Sequence, residues 1–279
     1  MNFITCEELI SKLEENKYIV IDCRFDLMNK SYGKESYEKN HIVGSFRLDM
    51  EDDLTSEVKE HGGRHPFPDL EILKIKLDNI GINNDSEIVL YDDGEIAGAG
   101  RAWSLLKYMG HEKVYVLDGG IKEYIRNGGK VSSEVNVDVE ASNYEVNVNK
   151  DYICDVNYIK EAIKNNKSLI IDSREYKRYI GEFEPIDKIA GHIPTAVNYF
   201  YGDVLKNNEF GNPVMKSKEE LKKHFKEIDG YDEVILYCGS GITATVNSIA
   251  LAEIGLKHKI YAGSYSDWVS YKENTVDTL

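Results

Sequence analysis

The chain has 279 residues, of which 42% are apolar, enough for one large domain or two ordinary ones and too many for a disordered chain. A formal net charge of -15 makes nucleic acid and anionic membrane surfaces poor partners. The N-terminus lacks a basic region followed by an apolar stretch, and no apolar run approaches the roughly 20 residues that span a bilayer, so we expect a cytoplasmic protein.

Short apolar runs, rich in β-branched residues, mark strands in the first half of the chain. They lie at residues 18–22, 87–91 and 113–117, and each is typical of a strand buried in a parallel sheet. Stretches with helical spacing at residues 70–77 and 102–109 predict helices. The first half therefore alternates strands and helices.

The second half of the chain has the same alternation. Residues 169–172, 233–237 and 259–262 predict strands, and residues 218–225 and 243–254 predict helices. Alternation of this kind implies an α/β fold with a central parallel sheet. Binding sites in such sheets form at the carboxyl ends of the strands.

Matching segments indicate that the two halves are copies of one domain. Three pairs recur at a nearly constant separation of about 150 residues, which is hard to obtain by chance. The pairs are residues 18–24 and 169–174, residues 41–44 and 192–195, and residues 87–92 and 233–238. We therefore expect two tandem domains.

The boundary between the copies falls in a polar stretch. We expect a first domain at residues 1–135, a linker at 136–144 and a second domain at 145–279. Alternating valines in this stretch, at positions 135, 137 and 139, fit either a linker or an edge strand along the second domain. Both alternatives stay open at this stage.

Cys238 is the best candidate for a nucleophile. It follows the apolar run 234–237, and a Gly-Ser-Gly turn and a helix-like stretch come next. Backbone N–H groups of such a turn and the positive end of the helix dipole favour the thiolate over the thiol. The first copy has Asp92 at this position, so only the second domain can carry a cysteine nucleophile.

We expect the remaining cysteines to be ordinary small buried residues without a catalytic role. These are Cys6, Cys23 and Cys154, and no pair in the chain has Cys-x-x-Cys spacing or a histidine at a metal-ligand distance. We expect no metal, no cofactor and, in the cytoplasm, no structural disulfide.

The chain resembles the tandem-domain rhodanese family of sulfurtransferases over nearly its whole length. The matching features are two Asp-x-Arg strand ends, two His-Ile-(Val/Pro) segments, the Tyr-Asp and Tyr-Cys pair, Leu117-Asp118-Gly119-Gly120, and Gly263-Ser264-Tyr265-Ser266-Asp267-Trp268. The resemblance implies two rhodanese-like domains, each a central parallel sheet flanked by helices. It also implies persulfide chemistry at Cys238 in the second domain.

The loop Cys238-Gly239-Ser240-Gly241-Ile242-Thr243 looks like the version found in 3-mercaptopyruvate sulfurtransferases. The thiosulfate version typically has basic residues at the two positions after the cysteine, where this chain has uncharged residues. A monoanionic carboxylate donor therefore fits better than the thiosulfate dianion. The segment Gly62-Gly63-Arg64-His65-Pro66 resembles thiosulfate sulfurtransferases and supports the other donor.

The resemblance also implies a reaction with a small-molecule donor. The Cys238 thiolate takes the sulfur of the donor, pyruvate leaves as its enolate, and a thiol, thioredoxin or cyanide then removes the outer sulfur. Ser240 would relay a proton to the enolate. The alternative is that Ser240 is only a turn residue, since Gly-Ser-Gly is a common turn composition. Thr243 could cap the helix or face the sulfur. Loop positions Gly239, Gly241 and Ile242 would contact the substrate.

Three charged positions complete the implied substrate site. Arg178 matches the arginine of the family that binds the substrate carboxylate, although arginines also form ordinary surface ion pairs. The second arginine of the family has no counterpart, because position 187 is Asp and the nearest cation is Lys188. Arg64 could face the site and restore some of the positive charge.

Two further residues, Glu51 and His65, are implied from the first domain. In the mercaptopyruvate enzymes an acid and a histidine from this region approach the catalytic serine and cysteine. The alternatives are that Glu51 is a solvated acid and that His65 is a loop histidine without a role in the site.

Two other functions compete with sulfur transfer. Cysteine phosphatases share this loop topology but need an arginine six residues after the cysteine, where this chain has Ala244. A binding module without turnover is the other alternative, and the intact Cys238 loop argues against it.

Overall fold

A computed structural model describes residues 1–13, 15, 17–135, 139–228 and 230–279. The described residues form two compact units. The first comprises Met1–Ser56, Pro68–Asn149 and Asn207–Met215, and the second comprises Glu57–Phe67, Lys150–Lys206 and Lys216–Leu279. Glu57–Phe67 joins the second unit although sequence order places it within the expected first domain. Residues 136–138 of the expected linker lie outside the described residues, so the alternation at Val137 stays a prediction.

Short strands and helices alternate through the first half of the chain. The strands are β1 (Phe3–Ile4), β2 (Tyr18–Asp22), β3 (His41–Ile42), β4 (Phe46–Arg47), β5 (Glu87–Tyr91), β6 (Val114–Leu117) and β7 (Val131–Ser132). The helices are α1 (Cys6–Leu13), α2 (Tyr32–Lys39), α3 (Leu70–Asn79), α4 (Ala97–Tyr108) and α5 (Gly120–Arg126).

The second half repeats the pattern. Its strands are β8 (Ile153–Cys154), β9 (Ser168–Asp172), β10 (Val197–Asn198), β11 (Leu205–Asn207), β12 (Pro213–Met215), β13 (Glu233–Tyr237) and β14 (Lys259–Tyr261). Its α-helices are α6 (Val156–Ala162), α7 (Tyr176–Tyr179), α8 (Lys218–His224), α9 (Ala244–Glu253) and α10 (Ser264–Trp268). Two short 3-10 helices lie at Tyr201–Val204 and Lys226–Ile228.

Each unit contains a five-stranded parallel sheet, and the two sheets have the same strand order. The first runs β1-β6-β5-β2-β4 and the second runs β8-β14-β13-β9-β10. The central registers also match, since Asp22 lies beside Tyr91 in one sheet and Asp172 beside Tyr237 in the other. The expected α/β fold with two central parallel sheets is thus confirmed.

Burial of the central strands explains their apolar sequences. Ile88, Val89 and Leu90 of β5 are buried, as are Ile235 and Leu236 of β13. Strands covered on both faces in this way read as continuous apolar runs, which is why the sequence located them well. The bounds of β2, β5 and β13 match the prediction at both ends.

The start of helix α4 differs most from the prediction. The helix begins at Ala97 and not at residue 102, because its first turn is built of small residues without apolar periodicity. A Cβ at Gly98 would lie 2.1 Å from the carbonyl oxygen of Cys23, so only glycine fits this close approach. Packing of the backbone, and not an amphipathic pattern, therefore determines where this helix starts.

A buried ion pair closes the carboxyl end of β9. The guanidinium of Arg174 donates to both oxygens of Asp172, at 3.0 and 2.6 Å, and to the carbonyl of Gly191 at 2.7 Å. Its plane lies 3.8 Å from the ring centre of Tyr265. Because both charged side chains are almost fully buried, removing Asp172 would leave Arg174 with only its longer pair to Glu184, at 3.2 Å.

We expect Asp172→Asn to lower the free energy of unfolding of the second unit by about 3–5 kcal/mol, since it removes one charge of this buried pair. The matched control is Asp232→Asn, whose carboxylate pairs with Lys167 in solvent and should contribute less than about 1 kcal/mol. Urea unfolding of the three proteins measures both differences. Equal losses in the two variants would show that burial of the pair adds nothing.

His258 lies in a chain of neutral hydrogen bonds in the second unit. Its Nδ1 donates to the carbonyl of Leu256 at 3.0 Å, and its Nε2 lies 2.6 Å from the hydroxyl of Ser248, which also contacts the hydroxyl of Tyr152 at 2.7 Å. Desolvation of the ring lowers the pKa of His258 to about 4. The folded protein therefore favours the neutral imidazole.

Stability should consequently fall on acidification. The unfolded chain binds a proton at His258 near pH 6.5, and the folded chain binds it only near pH 4. The contribution of neutral His258 to the free energy of unfolding is therefore complete above pH 6.5 and is lost as the pH falls toward 4. The slope should not exceed about 1.4 kcal/mol per pH unit. His258→Gln should unfold with a flatter pH dependence in this window, and parallel curves for the two proteins would contradict this.

Candidate active site

Cys238 lies in the turn between strand β13 and helix α9. Its side chain is buried, and the backbone N–H of Gly241 donates to its sulfur at 3.2 Å. Gly241 has a φ of 79°, a left-handed conformation that favours glycine and turns this N–H back toward the cysteine. The parallel sheet thus delivers the sulfur to the N-terminal end of a helix, where an anion is stabilised.

A second loop, before helix α10, supports the cysteine loop. The hydroxyl of Ser264 accepts the N–H of Cys238 at 3.2 Å, and the N–H of Tyr265 donates to the carbonyl of Cys238 at 3.0 Å. The N–H of Ser266 donates to the carbonyl of Gly239 at 2.9 Å. Ser264 itself has a φ of 56°, so this support holds a strained backbone.

The segment Glu57–Phe67 packs on helix α10 within the second unit. The N–H of Gly62 donates to Asp267 at 2.7 Å, and the N–H of Arg64 donates to the hydroxyl of Ser266 at 3.1 Å. These two bonds fix the backbone on either side of Gly63 and so position Arg64 and the next residue, His65, beside the cysteine loop. Sequence order alone gave no sign that this segment belongs to the second unit.

His65 and Ser240 form a buried pair beside the cysteine. The Nδ1 of His65 lies 2.8 Å from the hydroxyl of Ser240, and each side chain is only 6% exposed. A hydroxyl that contacts an imidazole can pass a proton through it. Ser240, two residues after Cys238, is the serine expected to relay a proton. The structure places it in contact with His65, the expected histidine.

Two arginines lie over Gly239, the residue after the nucleophile. A Cβ at this glycine would lie 2.9 Å from Nη2 of Arg64 and 3.5 Å from Nη2 of Arg178. The guanidiniums therefore occupy the space that a side chain at this position would fill. Positive charge reaches the site from two distant segments, where the thiosulfate version of the loop typically supplies it from the loop itself.

Two carboxylates hold these arginines. Glu184 accepts from Nε of Arg178 at 2.9 Å and from its Nη2 at 2.8 Å, while Asp187 accepts from Arg178 at 2.9 Å and forms a close ion pair with Arg64. Burial raises the pKa of Asp187, against the effect of Arg64. The pKa of Glu184 is lowered overall, because its hydrogen bonds from Arg178 and from two backbone N–H groups outweigh burial. Neither Glu184 nor Asp187 is among the site residues that the sequence predicts.

The remaining candidates take different positions. Ile242 is buried, and Thr243 occupies the N-cap of α9 without a side-chain capping bond. Lys188 is exposed at the surface. Glu51 lies in the first unit, where its carboxylate pairs with Lys30 at 2.7 Å.

Asp92 occupies the corresponding loop of the first unit. Its carboxylate accepts four backbone N–H groups at 2.8–3.2 Å, from Gly94, Ile96, Gly98 and Ala99. Burial raises the pKa of Asp92 to about 6, although these N–H groups act in the opposite direction. The repeated loop geometry is thus an anion cradle that the first unit fills with its own carboxylate.

The three other cysteines are free, buried thiols. Burial raises the pKa of Cys6 to about 12, and it also raises the pKa of Cys23 and of Cys154. At neutral pH these groups are protonated and thus poor nucleophiles.

Neither a metal cluster nor a membrane helix is found in the described ranges. Within them, histidine, cysteine and acidic side chains form no group of three that could hold a metal ion. The described helices also include none that is long and apolar enough to cross a membrane.

Comparison with known proteins extends the resemblance to the whole chain. The model of the rhodanese-like domain matches residues 5–127 and 155–271. A protein of Pseudomonas aeruginosa named "Probable 3-mercaptopyruvate sulfurtransferase" is 36% identical and covers 99% of this chain and 97% of its own. The thiosulfate sulfurtransferase of Rattus norvegicus is 28% identical over 89% of this chain and 84% of its own. The solved structure of SseA from Escherichia coli, titled as a 3-mercaptopyruvate sulfotransferase, superposes with a TM-score of 0.80, 26% identity, and coverage of 95% and 99%.

Two adjacent glycines test the packing of the segment that carries Arg64 and His65. Both have positive φ, but a Cβ at Gly63 would lie 2.3 Å from the carbonyl oxygen of Gly263, while one at Gly62 has no neighbour nearer than 3.8 Å. We expect Gly63→Ala to lower the free energy of unfolding by about 1–3 kcal/mol more than Gly62→Ala, because only the former overpacks. Chemical unfolding measures this, and equal effects would mean that the close approach is unimportant.

Proposed function

This chain belongs to the rhodanese family and is a sulfurtransferase, and we propose that 3-mercaptopyruvate is its donor and a persulfide on Cys238 its intermediate. The observation that carries the proposal is the 3.2 Å contact between the N–H of Gly241 and the sulfur of Cys238, with the Ser240–His65 pair adjacent. One group stabilises an anionic sulfur, and the other can deliver a proton.

The first half-reaction transfers the sulfur to the enzyme. The Cys238 thiolate attacks the sulfur of the donor, an S–S bond forms, and the C–S bond breaks with its electron pair leaving on carbon as the pyruvate enolate. The proton released from the donor thiol passes to His65 and from it to Ser240, whose hydroxyl gives its own proton to the enolate carbon. Pyruvate leaves, and the outer sulfur stays on Cys238.

The second half-reaction returns the cysteine. A nucleophilic acceptor attacks the outer sulfur, the S–S bond breaks, and the electron pair returns to Cys238 as its thiolate. The N–H of Gly241, which donates to this sulfur at 3.2 Å, would stabilise the leaving thiolate. We propose a thiol, thioredoxin or cyanide as acceptor, in the cytoplasm, where the free cysteines would stay reduced.

Donor charge decides between two candidates. The uncharged residues Gly239 and Ser240 favour a monoanionic carboxylate donor, which Arg178 would bind with two parallel hydrogen bonds. Thiosulfate is the second candidate, and the guanidinium of Arg64 close to Gly239 favours it.

A mass measurement tests the intermediate. Incubation with 3-mercaptopyruvate followed by removal of the donor should add about 32 Da to the wild-type protein, the mass of one sulfur on Cys238. Cys238→Ser should gain nothing, while Cys154→Ser, which changes a buried protonated thiol, should gain the same mass as wild type. An adduct that persists in Cys238→Ser would contradict the proposal, as would the lack of an adduct with either donor.

A further inference from the structure

Asp187 lies between the two arginines that flank the cysteine loop. One of its oxygens pairs with Arg64 and the other accepts Nη2 of Arg178 at 2.9 Å. Both guanidiniums lie against Gly239, next to the nucleophile. An internal carboxylate thus bridges the two arginines in the way that the carboxylate of a bound substrate would.

The charges of this cluster cancel. Arg64 and Arg178 contribute two positive charges, and Glu184 and Asp187 contribute two negative ones. The side chains of both acids are only 3% exposed, so solvent screens them weakly. The net charge of this cluster is therefore zero, and it attracts an anionic donor only when one carboxylate no longer pairs with the arginines.

The two carboxylates differ in what else they hold. Glu184 also pairs with Arg174 at 3.2 Å and accepts the backbone N–H groups of Ile186 and Asp187, so it is part of the framework. The described hydrogen bonds to the Asp187 carboxylate come from Arg64 and Arg178 alone. Removing its charge therefore frees the guanidinium of Arg64 and one Nη2 bond of Arg178, while the pair between Arg178 and Glu184 stays in place.

We propose that Asp187 is a specificity-determining residue that competes with the anionic group of the donor for Arg64 and Arg178. This rests on the proposed function for its substrate class. The competition weakens all anionic donors and weakens a dianion most, because the repulsion grows with the donor charge. It leaves an uncharged donor of the same shape unaffected.

The test compares donors of different charge in Asp187→Asn. We expect kcat/KM to rise about tenfold or more for thiosulfate, severalfold for 3-mercaptopyruvate, and less than twofold for the uncharged carboxamide of 3-mercaptopyruvate. Asp187→Ala repeats the comparison without an amide, and the thermal midpoint of each variant reports whether it folds. The matched control is Glu182→Gln, a nearby exposed acid that pairs with Lys177, and it should change none of the three values by more than twofold.

A binding measurement separates this inference from the proposed function. Calorimetric titration of pyruvate and of thiosulfate into Cys238→Ser, with and without Asp187→Asn, needs no turnover. Tighter binding of both anions in the double variant supports competition by Asp187 even if 3-mercaptopyruvate proves not to be a donor. Unchanged or weaker binding would overturn the inference, because Asp187 would then only position the arginines.

Discussion

The structure depends on one interaction, in which backbone N–H groups at the start of a helix donate to an acceptor group at the end of a parallel strand. In the first unit the group is the carboxylate of Asp92, which accepts four such bonds. In the second unit it is the sulfur of Cys238, which accepts the N–H of Gly241. The sheet, the glycine conformations and the supporting loop all serve to place this group.

The two copies have diverged in how the cradle is used. A carboxylate with four N–H partners has its hydrogen bonds satisfied and cannot carry out the chemistry of a thiolate. A cysteine in the same cradle has a polarisable sulfur that can take and release a second sulfur. The second unit adds the hydrogen-bonded pair of Ser240 and His65, which we propose as a proton relay, and two guanidiniums whose charge is offset by neighbouring acids.

Much of this architecture could be predicted from the sequence, because buried parallel strands have continuous apolar runs and the repeat exposed the copies. The apolar run located strand β13 and the loop after it. The repeat showed that the first copy has Asp92 where the second has Cys238. The family resemblance pointed to Arg64 and His65, but no pattern in the sequence specifies the packing of Glu57–Phe67 against helix α10 that places them. The arginine–carboxylate cluster joins residues 64, 178, 184 and 187, and no periodicity in the sequence relates such distant charges. In the sequence, position 187 attracted notice only because it is Asp where the resembling family has its second arginine. The structure shows that this Asp187 pairs with Arg64 and Arg178.

The most direct measurement is nuclear magnetic resonance of the Gly241 amide before and after Cys238 is loaded with sulfur. If this amide stabilises the anionic sulfur, its proton resonance should shift downfield and its hydrogen exchange should slow in the persulfide form. Gly255, which ends helix α9 away from the loop, serves as the internal control. A persulfide confirmed by mass with an unchanged Gly241 amide would contradict the account.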